Sequence, residues 1–231
     1  MAANAWKARQ SDVDAIVAGR HGDPFSVLGP HRVGKTGVVR AFVPHAEFLD
    51  VIDEAGAVVC RLERRDDAGF FEGTVEAKIA ARETRYGLRA TNATASWDLL
   101  DPYAFAPFLG ELDDYLLLEG SHRRLFERLG AQLVVHEGVA GVNFAVWAPH
   151  ASRVSVVGDF NSWDGRRHQM RKRVTSGLWE IFAPGLTEGA VYKFEIIAAD
   201  GRLLPLKADP FGFAGEMRPS TASVEIGRAH V

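Results

Sequence analysis

Long blocks of one charge, cysteine pairs and extended apolar runs are all missing from this sequence. Its 231 residues carry 27 basic and 30 acidic side chains, and neither sign gathers into a block that could serve as a nucleic-acid footprint. The single cysteine, Cys60, excludes an internal disulfide. No N-terminal apolar stretch reaches the length of a signal peptide or membrane span. A cytoplasmic protein with no nucleic-acid and no membrane partner is expected. The eight histidines lack the close spacing to His, Cys or carboxylate neighbours that a metal site uses, so no metal and no cofactor are expected.

What is present is a repeat. GVVRAFVPHA (37–46) aligns with GVNFAVWAPHA (141–151), placing Pro44-His45 over Pro149-His150. Downstream, Gly69-Phe70-Phe71-Glu72 falls on Gly177-Leu178-Trp179-Glu180, and Asp101-Pro102-Tyr103 on Asp209-Pro210-Phe211. Three landmarks in the same order indicate a duplication whose period is that of a domain rather than of a solenoid repeat.

Each copy alternates apolar and polar residues with period two, the signature of strands buried on one face. In Val191–Ile196, Tyr192, Phe194 and Ile196 point inward while Lys193 and Glu195 point outward. Further strands are expected at 142–147, 153–157 and 178–182, and in the first copy at 38–43, 48–52, 70–75 and 86–90. The expected fold class is all-β: two tandem immunoglobulin-like β-sandwich modules joined by a partly helical linker. The boundaries are 1–109, a linker at 110–132 and a second module at 133–224. Within the linker, Ser121 is expected to cap a helix over 122–129, and Tyr115–Leu118 to pack against a module. Near the N-terminus, Ser11 is expected to cap a short helix.

Gly29–Thr36 matches the phosphate-loop pattern G-x-x-x-x-G-K-[ST] letter for letter. Its setting is wrong for that chemistry: Gly37–Pro44 is rich in β-branched residues and ends in proline where a helix should begin. A glycine-rich turn before a strand is expected instead.

The stretch VNFAVWAPHASRVSVVGDFNSWD (142–164), followed by GLWEIFAPGL (177–186), YKFEI (192–196) and KADPFGF (207–213), resembles the carbohydrate-binding module that precedes the catalytic barrel in glycogen branching enzymes and related α-glucan enzymes. HGDPFSVLGPH (21–31) resembles the start of the extra N-terminal module of the longer bacterial branching enzymes. The resemblance implies an α-glucan partner, glycogen or linear α-1,4-glucan, and a parent activity that transfers α-1,4 chains to form α-1,6 branches. It also implies a catalytic barrel in cis. The carboxylate pair of such a retaining transfer belongs to that barrel, so no catalytic residues are assigned here and the chain alone is expected to be inactive. The last seven residues, 225–231, depart from the family and match an in-frame reading of a synthetic adapter; a non-native tail is expected. A stand-alone glycan-binding regulatory module is the alternative reading, and a structural spacer a third.

Trp163 is the leading glycan-binding candidate, because a large apolar side chain in the polar turn 159–165 either stacks on a sugar or packs across a strand or against a neighbouring domain. Asn161 could offer its amide to a hydroxyl. Lys193 points outward, and the resemblance implies a binding lysine in this YKF context. No second tryptophan follows in 200–204, so affinity on the order of 1 mM, about −4 kcal/mol, is expected. Trp147 lies on the strand face opposite Val146 and is assigned to a domain interface, as is the corner Asp209, Pro210 and Phe211, which the resemblance places near the barrel.

Overall fold

Strand alternation becomes two units in a computed structural model that describes residues 5–227. The chain divides into Met1–Ala104 and Phe105–Val231. Both are built from antiparallel sheets, as the all-β expectation of two sandwich modules requires. Among the described residues, no helix is long and apolar enough to cross a membrane.

Unit 1 contains α1 (Gln10–Val17), β1 (Gly29–Val33), β2 (Thr36–Phe42), β3 (Phe48–Ile52), β4 (Val58–Asp66), β5 (Phe70–Val75), α2 (Ala77–Ala80), β6 (Gly87–Thr91) and β7 (Ser96–Leu99). Its strands hydrogen-bond in the order β1-β2-β5-β4-β3-β6-β7. The nine-residue β4 pairs with both β3 and β5 and is irregular in register between Arg64 and Asp66, as expected of a strand that bends from one layer into the other. Val39 and Ala41 of β2, Leu49 and Val51 of β3, Phe71 of β5 and Leu88 of β6 fill the space between the layers. Gly29–Thr36 forms a hairpin in which β1 already begins at Gly29, with Gly34 and Lys35 at the tip between paired Val33 and Thr36. No helix follows, so the phosphate-loop geometry is absent.

Unit 2 contains α3 (Glu111–Leu118), β8 (Gly130–His136), β9 (Val139–Trp147), β10 (Ala151–Gly158), β11 (Arg171–Arg173), β12 (Leu178–Pro184), β13 (Val191–Ala198), β14 (Ala214–Gly215) and β15 (Ser223–Val224). Two four-stranded sheets result, β11-β12-β9-β8 and β10-β13-β15-β14. Phe144 of one sheet meets Tyr192 of the other edge-on, with ring centroids 4.9 Å apart. Glu225 extends the second sheet, its N–H donating to Ala190 O at 3.0 Å. Glu225 therefore joins the fold through backbone bonds, and the Gly227 N–H donates to its side chain at 2.8 Å, while 228–231 lie outside the described residues.

The helices correct the sequence reading. The linker helix lies at Glu111–Leu118, not 122–129. Asp113 accepts the Gly110 N–H at 3.0 Å, and Glu111, Asp113 and Asp114 all favour the first turn through the helix dipole. Residues 125–127 form only a 3-10 turn. There the preceding His122 ring is bound to the Asp113 carboxylate at 3.0 Å and accepts the Arg124 N–H, so 121–124 cannot wind into a first turn. Of Tyr115–Leu118, only Leu117 packs on the cluster of Leu109, Leu129, Ala145 and Leu178, while Tyr115 and Leu118 are exposed. Helix α1 begins at Gln10 without a side-chain cap, leaving Ser11 inside it.

Helix α3 belongs to unit 2 because the duplication is longer than its sequence landmarks. His21 approaches Asp12 in unit 1 as His122 does Asp113 in unit 2. His31 contacts Leu28 O at 2.9 Å, and Gln132 donates to Leu129 O at 2.7 Å. The buried Glu72 accepts the Ala8 N–H at 2.8 Å, and the buried Glu180 accepts the Leu109 N–H at 2.9 Å. Arg65 pairs with Glu72 and Arg173 with Glu180. Each copy thus ties its own leading segment onto its sheet through one buried glutamate.

Candidate functional site

The turn that carries Trp163 starts at Gly158, the last residue of β10. A Cβ there would lie 2.1 Å from Val191 O, so only glycine fits beside β13. Residues Asp159–Asn161 make one 3-10 turn, after which Ser162 and Trp163 both adopt left-handed backbone, with φ of 58° and 59°. Two successive non-glycine residues in this region cost of order 1–3 kcal/mol each, and such strain concentrates at binding sites. The surroundings enforce it. Asn161 Oδ1 accepts the Gly158 N–H at 2.9 Å, and the Trp163 N–H donates to Gly158 O at 2.9 Å.

Trp163 is 36% exposed, and its indole Nε1–H donates to Asp159 Oδ1 at 2.8 Å. That bond restrains the ring while the residue stays partly open to solvent. Lys193 is paired across β10–β13 with Val157, next to the start of the turn, and its Nζ donates to Thr221 Oγ1 at 2.7 Å on the surface. The expectation for Asn161 is corrected. Its side chain is wholly buried, and its amide donates to Val156 O and His168 Nδ1 at 2.9 and 3.1 Å, which leaves no donor for a sugar hydroxyl. It builds the turn instead.

His168 was not singled out by the sequence and is central here. Burial, reinforced by the neighbouring Arg167 charge, lowers its pKa to about 3, so it stays neutral and can accept from Asn161. The rest of the turn is held by Asp164, whose carboxyl burial tends to raise but hydrogen bonds from Arg166 bring below its ordinary value. At Gly165 a Cβ would push aside the Glu195 carboxylate, which pairs with Arg153, while Arg153 also donates to Gly165 O at 2.8 Å. Asp159 could have been found from its spacing to Trp163 across a turn bounded by glycines; His168 had no such signal.

The expected interface residues divide. Trp147 is exposed, its Nε1–H donating to Ser176 O at 3.0 Å, and Pro210 is also on the surface. Asp209 and Phe211 are engaged within unit 2 itself, Asp209 buried and Phe211 partly so. Asp209 accepts the Tyr192 hydroxyl at 2.6 Å and the Phe211 N–H at 2.8 Å, and Phe211 packs on the cluster beneath α3. Burial pushes the Asp209 carboxyl up despite those two bonds. Unit 1 repeats the arrangement with Tyr86, Asp101 and the Tyr103 N–H, and there burial pushes Asp101 up to about 6.

Residues 128–212 match the family described as carbohydrate-binding module 48 (isoamylase N-terminal domain), and residues 9–103 match the alpha-1,4-glucan branching enzyme GlgB, N-terminal domain. The fold and these two matches make the chain a pair of β modules, a branching-enzyme N-terminal domain followed by a carbohydrate-binding module. Across 217 residues the chain is 58% identical to the 1,4-alpha-glucan branching enzyme GlgB of Mesorhizobium japonicum, covering 94% of this chain and 29% of that protein. It is 55% identical to that of Paramagnetospirillum magneticum, covering 95% and 29%. The chain belongs to the 1,4-alpha-glucan branching enzyme family as its N-terminal part, and spans about 29% of the length of these relatives. Among solved structures, pullulanase type I from Bacillus subtilis complexed with maltose is similar at a TM-score of 0.38 and 16% identity, covering 88% of this chain and 27% of that one.

Proposed function

We propose that unit 2 binds α-1,4-glucan at the Trp163 turn and thereby holds long glucan chains for a cytoplasmic branching enzyme that converts α-1,4 segments into α-1,6 branches. The observation that carries this reading is an exposed indole locked in one orientation by Asp159 and by strained backbone, within a module that matches a carbohydrate-binding family. The indole face covers the C–H face of a glucose ring, and the Lys193 ammonium donates to a hydroxyl beside it. One stacking ring makes the site weak, on the order of 1 mM. Many such contacts along one polymer would raise the local concentration of chain ends. The cleavage and transfer steps belong to the full-length protein, since they require a nucleophilic and an acid/base carboxyl about 5 Å apart on a rigid frame.

Affinity electrophoresis through glycogen tests the binding reading. Retardation of the chain relative to a glycogen-free gel is expected, with a marked loss in Trp163→Ala. An unretarded but folded chain would assign both modules to scaffolding.

A further inference from the structure

The duplication supplies an internal control for one buried position of unit 2. Asn143, in the middle of β9, is wholly buried, and neither its Oδ1 nor its Nδ2 has a hydrogen-bond partner among the described residues. It is paired in register with Gln132 of β8 and Phe182 of β12, on the sheet face opposite to that of Phe144. That face is the one the leading segment 105–129 covers. Ala145, two residues on, packs with Leu109 and Leu129, and the Phe182 ring meets Phe105 edge-on with centroids 4.9 Å apart.

Register fixes the counterpart of Asn143 in unit 1. Gln132 matches His31, whose strand neighbour is Val38. Val38 stands two residues before the Arg40 that faces Glu72, as Asn143 stands two before the Ala145 that faces Glu180. Val38 is equally buried. The frame therefore accepts an aliphatic side chain here, and packing does not account for the amide. A buried amide without partners loses its hydration with no return, which native structures rarely tolerate.

The neighbouring side chains are already committed. Gln132 Nε2 donates to Leu129 O at 2.7 Å and to Phe126 O at 3.2 Å, which uses both of its hydrogens. Glu180 Oε1 accepts from Arg173 at 3.0 Å, and Oε2 accepts the Phe108 and Leu109 N–H groups. Gln132 can then offer only its Oε1, an acceptor.

We propose that Asn143 holds an internal water molecule between β8–β9 and the leading segment 105–129, with Gln132 Oε1 as its second protein partner. Water is the ligand this chemistry selects. The molecule must donate to Asn143 Oδ1, accept from Nδ2 and be small enough to be enclosed. Its remaining hydrogen goes to Gln132 Oε1, which gives it the roughly three hydrogen bonds usual for buried water. No ion fits, since both amides are neutral and both oxygens of Glu180 are engaged. Unit 2 thus closes its leading segment over a hydrated amide where unit 1 has valine.

Water–protein cross-relaxation in solution NMR of the 231-residue chain tests the site. The Asn143 Nδ2 protons, identified by their loss in Asn143→Val, should exchange slowly with solvent. They should nevertheless show cross-peaks to water of opposite sign in laboratory-frame and rotating-frame spectra, the mark of a water held for longer than the tumbling time. The Val38 methyl groups of unit 1 should show none. If Asn143→Val fails to fold, through-bond correlation from the Asn143 Cβ protons assigns the same signals in the wild type. Slowly exchanging Asn143 protons with no water cross-peak overturn the proposal. Equal signs in the two frames, which report exchange or passing surface water, overturn it too, as does a crystal structure in which the amide is bonded to protein groups alone.

Discussion

The two units share a frame and differ most in one connection. In unit 1 the chain passes from β3 to β4 through residues 53–57, a tight turn in which Asp53 accepts the Ala55 and Ala57 N–H groups. In unit 2 the matching connection runs from 159 to 170 and holds the Trp163 turn. Its last part lies along β10, with the Val156 N–H donating to His168 O and the Met170 N–H to Val154 O. That stretch takes the place of the first half of β4, so β11 shrinks to Arg171–Arg173 and the continuous sheet of unit 1 becomes two separate sheets. Unit 1 therefore shows the frame optimised for pairing, and unit 2 shows what a binding turn removes from it.

The sharpest way to break this comparison is to open one core at a time. Trp179, fully buried and bonded through Nε1 to Ala148 O, matches Phe71 of unit 1. Replacement of either by alanine should cost about 3–5 kcal/mol. Urea unfolding monitored by unit-specific NMR resonances should show Trp179→Ala lowering the transition of unit 2 only, and Phe71→Ala that of unit 1 only. A loss shared equally by both would mean the copies unfold as one.

Acid should move the units in opposite directions. His168 has a folded pKa near 3, below its ordinary 6.5, so its contribution to unit 2 is complete above pH 6.5 and is lost as the pH falls toward 3. Asp101 has a folded pKa near 6, above its ordinary 3.8, so its ionised burial weakens unit 1 at pH 7 and is relieved as the pH falls through 6. Between pH 7 and pH 5 the His168 term amounts to about 2 kcal/mol and the Asp101 term to about 1 kcal/mol, of opposite sign. Thermal midpoints followed across that range should converge or diverge accordingly, and His168→Gln or Asp101→Asn should flatten the respective trend.

The smallest effect on stability should come from Asp159→Ala. Asp159 lies on the exposed turn, so unfolding should shift by less than about 0.5 kcal/mol, while the Trp163 indole resonance moves and glycogen retardation weakens severalfold. Asp159→Asn, which keeps an acceptor for Nε1–H, should restore both. A retained indole shift in the alanine variant would remove Asp159 from the site.

Strands with two-residue alternation and a terminal proline, such as β2 and β9, were legible from the sequence because one face of each is uniformly apolar. Strands β4 and β11 were not. Their residues are mainly charged, and ladder pairing, on both sides for β4 and with β12 alone for β11, rather than burial makes them strands. Helix α3 was hidden because its acidic first turn precedes an apolar run that reads equally as a packed loop, and Ser121 offered a stronger-looking cap than Gly110. At the site, Trp163 stood out as a misplaced apolar residue. The role of Asn161 could not be read, because a buried and an exposed asparagine in a turn have the same sequence signature and differ only in what surrounds the amide.

The glutamate anchors have a consequence for how such modules can be moved between proteins. Glu180 is satisfied by N–H groups of Phe108 and Leu109, residues that precede the recognised carbohydrate-binding span by some distance along the chain. A graft cut at the start of that span would leave the buried Glu180 with Arg173 alone and its second oxygen without the two N–H donors, whereas one cut at Phe105 would carry its own closure. What was copied was a unit already sealed at its front, and that makes it portable.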